Sequence, residues 1–312
     1  MTSKTRSDGA NRRPVAHRDE PNTSVTTPSF PARSERLLKV AGLAAVSALF
    51  RHGPDRVVRL FYEDRRVADV GDFCARMAEL RRPYRLVDGE ELARIAGTMQ
   101  HGGVVAVAKP QEERLLSVSE IKLHTNSGTT WFVLDGIGNP HNLGAIARSL
   151  AFFGFKSLVL SDHPLQAGLS DAAYRTAEGG LDCLDIFRVR DLSNWLRLIK
   201  PEYQVIGTAL HRRGVGIEEI AGNERTKVMI LGNEETGLSP AIIKVCDTLL
   251  TLPGVGEVQS LNVSATAAIL AHAERENARS GSESRTPSKK DPRLSRGSIE
   301  KKRHGTETRR RD

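Results

Sequence analysis

The sequence has little cysteine, few aromatic residues and no long apolar segment. Its three cysteines, Cys74, Cys183 and Cys246, are odd in number and lack a C-x-x-C spacing, which argues against a disulfide framework or a zinc site. The nine histidines show no ligand spacing, so no metal is expected. No apolar run approaches the ~20 residues that span a bilayer, and the N-terminus lacks the apolar core of a signal peptide. The sequence therefore predicts a soluble protein of the reducing cytoplasm.

The middle of the chain also carries no excess of positive charge. The formal net charge of +8 comes from the ends: residues 277–312 hold 12 Lys/Arg against 5 Asp/Glu, and residues 1–37 hold 7 against 4. Both ends are rich in Ser, Thr, Arg and Pro, a composition that predicts disordered basic tails at 1–35 and 277–312. Such tails either bind phosphates non-specifically or serve as solubilising extensions.

Residues 36–109 have the pattern of a small α/β domain. The apolar spacing predicts a first helix from Ser34 to about Arg51. Strands are predicted at 57–62, 84–87 and 104–108, and helices at 70–80 and 90–95. The segment 110–127 is predicted to be a linker. The basic residues of this domain are either phosphate contacts or a solvated surface: Arg51, Arg56, Arg59, Arg65, Arg66, Arg81 and Arg82.

From 128 to 276, apolar strand-like runs alternate with helical patterns. This alternation predicts an α/β domain with a mostly parallel sheet and helices on both faces. The strands are predicted at 131–134, 157–160, 205–209, 228–231 and 248–252. The helices are predicted after Asn142, at 173–180 and 192–199, and from Ser239 and Asn262.

Two loops follow buried strands in this domain, at 232–239 and 252–264, and both are rich in Gly, Asn and Ser. Open α/β sheets place ligands at the carboxyl ends of their strands, in loops of this kind. Glycines let the backbone approach a bound molecule closely, and backbone groups can recognise an adenine without side chains. The two loops therefore predict a ligand site.

A third motif, 134–148, follows the first strand of the domain. Asn142 is predicted to cap a helix that ends near Gly154, and Arg148 falls in its second turn. A dinucleotide fingerprint fails here because His141 stands where G-x-G-x-x-G needs its third glycine. A phosphate-binding G-x-x-x-x-G-K-[ST] is absent from the sequence.

Together these motifs resemble the SpoU (TrmH-like) RNA ribose 2′-O-methyltransferases of the SPOUT class. The residues that carry the resemblance are Asn142-x-Gly144-x-x-x-Arg148, Gly232-Asn233-Glu234-x-x-Gly237-Leu238-Ser239 and Pro253-x-x-Gly256-x-x-x-Ser260-Leu261-Asn262-Val263-Ser264. The resemblance covers roughly residues 36–275, and residues 175–180 look most like the YfiF-type members. It implies a trefoil-knotted C-terminal domain, a small N-terminal α/β RNA-binding domain and a homodimer.

The resemblance also implies a cofactor, S-adenosyl-L-methionine, and a set of site residues. The catalytic set it implies is Arg148, Asn142, Glu234, Ser260 and Asn262. The cofactor-binding set is Thr208, Ala209, Leu231, Gly232, Asn233, Gly237, Leu252, Pro253, Gly256 and Leu261.

Arg148 has more than one possible role. An arginine with a pKa above ~12 is a poor general base, and its guanidinium is better suited to hold a substrate phosphate. On position alone, its alkyl stem could simply cover its helix.

The expected function is S-adenosylmethionine-dependent 2′-O-methylation of a ribose in structured RNA, either rRNA or tRNA. Two alternatives remain at this point. One is an RNA-binding or ribosome-assembly protein that keeps the methyltransferase fold without turnover. The other is methylation of a base nitrogen, which the Asn142 and Arg148 motif disfavours.

Overall fold

The structure is a computed structural model that describes residues 36–124, 130–209, 214–220 and 225–284. The predicted tail 1–35 and residues 285–312 lie outside the described residues. The final helix continues through 277–284, which the composition assigns to the second tail. Within the described ranges, no helix is long and apolar enough to cross a membrane.

A four-stranded sheet forms the N-terminal part of the described chain. Its strands are β1 (Leu38–Ala41), β2 (Val57–Tyr62), β3 (Tyr84–Leu86) and β4 (Val104–Ala108). Its helices are α1 (Leu43–His52), α2 (Gly71–Glu79) and α3 (Gly89–Ala96). The strand order is β1-β4-β2-β3, with β4 antiparallel to β1 and β2, and β3 parallel to β2.

Most elements of this part agree with the sequence prediction, but the first does not. The strands at 57–62 and 104–108 are confirmed. The predicted helix from Ser34 to Arg51 is wrong over 38–41, because these residues form β1 and pair with β4. Gly42, with φ of 94°, turns the chain from the strand into α1. The buried pairing with β4 therefore outweighs the helical spacing of the apolar residues.

A seven-stranded sheet forms the rest of the described chain. Its strands are β5 (Arg114–Leu115), β6 (Trp131–Asp135), β7 (Ser157–Leu160), β8 (Asp185–Arg188), β9 (Gln204–Thr208), β10 (Lys227–Gly232) and β11 (Thr248–Leu250). Its helices are α4 (Val118–Lys122), α5 (Pro140–Phe152), α6 (Asp171–Ala177), α7 (Leu192–Ile199), α8 (Pro240–Val245) and α9 (Val263–Ser284). The order is β11-β9-β10-β6-β7-β8-β5, and all pairings between the described strands are parallel.

Helices cover both faces of the parallel sheet, as predicted. Alternate residues of β6 enter different cores: Phe132 and Leu134 pack with α5, α6 and α9, whereas Trp131 and Val133 pack with α4, α7 and α8. The α/β class is therefore confirmed. The predicted linker, 110–127, contains β5 and α4, so part of it belongs to the sheet and its core. The trefoil knot stays a prediction.

Helix α6 connects the two sheets. The backbone N–H of Lys39 in β1 donates to the Asp171 carboxylate over 3.0 Å. Arg56 forms an ion pair with the buried Asp182 and donates to the Tyr174 hydroxyl over 3.3 Å. Burial raises the pKa of Tyr174 to about 12, so this hydroxyl stays protonated at neutral pH. These contacts give Arg56 a structural role.

The other predicted phosphate-binding arginines differ in how they are used. Arg82 donates to the backbone carbonyls of Pro54, Asp55 and Val57, so it holds the chain before β2. Arg65 and Arg66 form ion pairs with neighbouring carboxylates. Arg56 and Arg82 thus have structural partners within the chain, and phosphate contact by these two arginines stays a prediction. The remaining candidates are exposed on the surface: Arg51, Arg59 and Arg81.

Gly144 sets the distance between α5 and α6. A Cβ atom at this position would lie 2.4 Å from the Ala173 carbonyl oxygen and 2.9 Å from the Thr176 Cβ. We expect Gly144→Ala to push the helices apart and destabilise the fold by about 1–3 kcal/mol. Urea unfolding measures the loss. Gly71→Ala is the control, because nothing lies within 4 Å of its added methyl; equal stability of the two variants would contradict this packing.

Candidate active site

A cavity of about 1130 Å³ lies at the carboxyl ends of four neighbouring strands of the parallel sheet. The loops after β6, β9, β10 and β11 meet there, because parallel strands all end at the same edge of a sheet. Its volume is comparable with that of small-molecule sites, roughly 300–1,000 Å³. Its lining includes Gly138, Asn139, Leu165, Leu238, Ile243, Leu250, Gln259 and Thr266.

Most of the predicted site residues line this cavity. From the predicted catalytic set, these are Asn142, Glu234, Ser260 and Asn262. From the predicted cofactor set, they are Thr208, Ala209, Gly232, Asn233, Gly237, Leu252 and Leu261. Four predicted residues lie outside the lining: Leu231 is buried within β10, Pro253 and Gly256 lie on the exposed loop, and Arg148 lies further along α5.

The loop after β10 is folded by the side chain of Asn233. Its carbonyl oxygen accepts bonds from the N–H groups of Glu235 and Thr236, each over 3.0 Å. Its amide nitrogen donates to the Gly136 carbonyl over 2.7 Å, which joins this loop to the turn after β6. At Gly232, a Cβ would lie 2.6 Å from the Gly237 carbonyl carbon, so a side chain there would force the loop open.

Asn142, Glu234 and Asn262 form a hydrogen-bonded chain that joins all three motifs. The amide nitrogen of Asn142 donates to Glu234 Oε1 over 2.8 Å. The amide nitrogen of Asn262 donates to the Asn142 oxygen over 3.1 Å. Asn262 in turn accepts from the backbone N–H of Ser264 over 2.8 Å, at the first turn of α9. The three loops are therefore held together by side chains that the sequence places 92 and 120 residues apart.

The Glu234 carboxylate is held in its ionised form. Partial burial opposes ionisation, but the bond from Asn142 and those from the backbone N–H groups of Gly138 and Asn139 outweigh it. The pKa of Glu234 therefore lies below its ordinary value. The ionised carboxylate is an acceptor for three donors and fixes the turn that precedes α5.

The turn after β6 depends on Gln166, which sequence reasoning missed. The buried Gln166 carbonyl accepts from the N–H groups of Gly136 and Ile137 over 3.0 and 3.1 Å. Its amide nitrogen donates to the Ala167 carbonyl over 3.2 Å. Gln166 lies outside all three motifs, in a loop after β7. Only its position in the three-dimensional structure could therefore have shown its role.

The start of α5 differs from the prediction. Asn139 caps the helix, because its side-chain oxygen accepts from the His141 N–H over 2.9 Å and Pro140 is the first helical residue. The prediction that Asn142 is the cap is therefore wrong. Asn142 lies inside the first turn instead, where its buried amide can reach the other two loops. The predicted end is confirmed: Gly154 follows the helix with φ of 76°.

The loop between β11 and α9 forms the most exposed wall of the cavity. Its residues from Pro253 to Asn262 are exposed, and Val255 and Val258 present large apolar side chains. Ser260 and Leu261 line the cavity from this loop. Beside this loop, the Thr208 hydroxyl donates to the Ile230 carbonyl over 2.9 Å and so joins β9 to β10.

Arg148 lies on α5, away from the cavity lining. Its Nη1 is 3.0 Å from the Glu178 Oε1, and both side chains are about half exposed. Glu178 follows α6 and has a left-handed backbone with φ of 44°. A guanidinium at this exposed position can be reached by a large anionic substrate.

A parallel α/β sheet with a ligand-sized cavity at the carboxyl ends of β6, β9, β10 and β11 places the protein among the α/β proteins that bind a cofactor at their strand ends. Residues 129–272 match the SpoU rRNA Methylase family, and residues 39–114 match the family RNA 2'-O ribose methyltransferase substrate binding.

Individual relatives and solved structures agree with these matches. The 23S rRNA (guanosine-2'-O-)-methyltransferase RlmB of Bordetella pertussis is 30% identical over 74% of this chain and 93% of the relative. The uncharacterized tRNA/rRNA methyltransferase YfiF of Escherichia coli O157:H7 is 30% identical over 74% of this chain and 66% of the relative. The SpoU methyltransferase AviRb of Streptomyces viridochromogenes, solved with AdoMet, has a TM-score of 0.63 at 21% identity. The similarity covers 78% of this chain and 92% of AviRb. The chain belongs to the SpoU methylase family.

Replacing Asn142 tests the hydrogen-bonded chain. Because the folded-state pKa of Glu234 lies below the unfolded value of about 4.3, its bonds stabilise the fold fully above that pH and are lost as the pH falls through the folded pKa. We expect Asn142→Ala to be about 1–2 kcal/mol less stable than wild type at pH 7, with a smaller difference near pH 3. Urea unfolding across this range measures it.

The neighbouring carboxylate provides the control for this experiment. Glu235 accepts no bond from Asn142, so Glu235→Gln should leave the pH dependence of stability as in wild type. A stability difference between Asn142→Ala and wild type that stays constant from pH 7 to pH 3 would show that Asn142 acts without Glu234.

Proposed function

We propose that this protein transfers a methyl group from S-adenosylmethionine to a ribose 2′-hydroxyl in structured RNA. The observation that carries the proposal is the cavity over β9, β10 and β11, where the three motifs meet through Glu234, Asn142 and Asn262. The family and the RlmB relatives, named as 23S rRNA methyltransferases, support rRNA or tRNA as the substrate.

The lining of the cavity fits S-adenosylmethionine. Apolar side chains of Leu238, Ile243 and Leu250 can cover an adenine ring. The loops around Gly232, Leu252 and Leu261 bring backbone N–H and C=O groups to the same space, which suits recognition of the adenine edge. We propose that these residues, with Thr208, Ala209, Asn233 and Gly237, bind the cofactor.

The bound cofactor would supply a methyl group on a positively charged sulfur. The protein must then place a ribose hydroxyl in line with that methyl and accommodate the hydroxyl proton. We propose that Asn142, Glu234 and Asn262 contribute by holding the cofactor loops, because their side chains are already bonded to one another. We propose that Ser260, which lines the cavity from the exposed loop, contacts the substrate.

We assign the substrate contact to Arg148. A guanidinium is almost never deprotonated at neutral pH, so it can hold the phosphate next to the target ribose and stabilise negative charge on the reacting oxygen. Its position on α5, which also carries the cavity residue Asn142, and its exposure support this role.

Methyl transfer to RNA is the direct test. Purified protein should bind S-adenosylmethionine and transfer labelled methyl groups into rRNA or tRNA that lacks its own modifications. Nucleoside digestion should then recover the label as a 2′-O-methylated ribose. Label on a base nitrogen would replace the proposed reaction by base methylation. Cofactor binding without any transfer would instead favour an RNA-binding protein that keeps the fold without turnover.

Variants of Arg148 test its role in the same assay. Arg148→Ala should abolish transfer but leave cofactor affinity within about threefold, since Arg148 lies outside the cavity lining. Arg148→Lys keeps the charge and loses the planar fork, so we expect a weak residual rate. Near-normal turnover of Arg148→Ala would contradict the assignment. Arg197→Ala is the control, since this arginine lies on α7, on the opposite face of the sheet.

We also propose that the protein is a homodimer. Helices α5 and α9 pack against each other, and both present exposed apolar side chains. Phe152 on α5 is 82% exposed, and Ile269 on α9 is 41% exposed. Light scattering at micromolar concentration should give twice the mass of one chain. The substitution Phe152→Lys should reduce the measured mass. Leu198→Lys, at an exposed position on α7, is the control. A single-chain mass with full activity would contradict the dimer.

We propose a cytoplasmic location for this activity. Cys74, Cys183 and Cys246 are free thiols in the structure, which suits a reducing compartment. Burial raises the pKa of the Cys246 thiol to about 11, so this thiol stays protonated and inert.

A further inference from the structure

Glu178 has a backbone conformation that its side chain disfavours. It follows the last residue of α6 with φ of 44° and ψ of 44°, the left-handed region. Glycine adopts this region without steric cost, whereas a residue with a Cβ does not. Two glycines follow directly at 179 and 180, so the chain uses glutamate where its neighbours are glycine. A side chain kept under such strain indicates a role for the side chain itself.

Close packing on both sides fixes the position of Glu178. At Gly180, an added Cβ would lie 2.7 Å from the Arg148 Cα, so the segment rests directly on the backbone of α5. At Gly179, an added Cβ would lie 2.5 Å from the Ala48 Cβ and 3.2 Å from the Ala44 carbonyl oxygen of α1. The segment is therefore held between the N-terminal sheet's first helix and the helix that carries Arg148.

This packing brings the Glu178 carboxylate to Arg148. The Nη1–Oε1 distance is 3.0 Å, and the side chains of Arg148 and Glu178 are 56% and 51% exposed. Within the described part of the chain, Glu178 is the carboxylate that forms an ion pair with Arg148. A contact through Nη1 leaves the rest of the guanidinium fork available to a second anion, such as an RNA phosphate.

Stability does not explain why this ion pair is kept. Exposed ion pairs contribute little to folding, because water and salt screen them and both side chains lose freedom. The left-handed backbone acts against folding at the same position. The combination therefore favours a role in orienting Arg148 over a role in holding the fold.

We infer that Glu178 is a positioning residue for Arg148: its carboxylate holds one nitrogen of the guanidinium so that the remaining fork meets the substrate phosphate. The inference rests on the proposed substrate contact of Arg148. The same segment packs against α1 at Gly179, so the N-terminal part of the chain contacts the residue next to Glu178.

Two substitutions of Glu178 separate positioning from stability. Glu178→Gln removes the charge and keeps the strained backbone, whereas Glu178→Gly removes both. We expect both variants to lower kcat/KM for methyl transfer by about two- to fivefold, the range set by an exposed ion pair, with cofactor affinity unchanged. Thermal unfolding should leave Glu178→Gln close to wild type and give Glu178→Gly an equal or higher Tm. Glu79→Gln, which breaks an ion pair of equal 3.0 Å length and comparable exposure on α2, should retain the wild-type rate.

A double variant gives the outcome that decides the inference. In an Arg148→Lys background the fork is already lost, so adding Glu178→Gly should cause no further loss of rate. Wild-type rates in both single variants, or a full additional loss in the double variant, would overturn the positioning role. If wild-type protein transfers no methyl group at all, or Arg148→Ala keeps full activity, the proposed function fails instead, and the two failures remain distinguishable.

Discussion

The hydrogen-bonded chain from Glu234 through Asn142 to Asn262 is the constraint on which the site depends. It joins loops that follow three different strands of the parallel sheet. An ionised carboxylate at one end accepts three donors, and a helix start at the other end donates to Asn262. Without these bonds, each loop would be a separate Gly-rich turn with its own conformational freedom. With them, the loops form one wall of a cavity.

A second constraint connects the site to the N-terminal sheet. Helix α6 and the glycines after it lie between α1 and α5, and the buried ion pair of Arg56 with Asp182 holds them there. Buried ion pairs need good geometry to offset their desolvation, so this contact also fixes which parts of the two sheets meet. The same short segment presents Glu178 to Arg148. Packing between the sheets and the surroundings of Arg148 thus depend on the same residues.

Much of the candidate site could be recognised from the sequence, because glycine, asparagine and serine in loops after buried strands are constrained by local geometry. Gly232 is an example, since any Cβ would strike its own loop. The roles of other residues could not be recognised in this way, even where, as for Glu178, the surrounding residues carry part of the resemblance. Gln166 fixes the turn after β6 from a distant loop. Glu178 reaches Arg148 only because two helices pack around its segment. Their roles come from contacts between distant residues, which spacing alone does not reveal.

The local sequence pattern was enough to predict the short apolar strands, such as Val57–Tyr62 and Val104–Ala108, and the loops that end them. It was also enough to recognise the family resemblance and the class of ligand. Tertiary structure decided the rest. Residues 38–41 form a strand because β4 offers a buried partner, although their apolar spacing suits a helix. Asn142 bonds to two other loops because Asn139 caps its helix first. In each case local preferences are weak and nearly balanced, so a buried partner far along the chain decides the outcome.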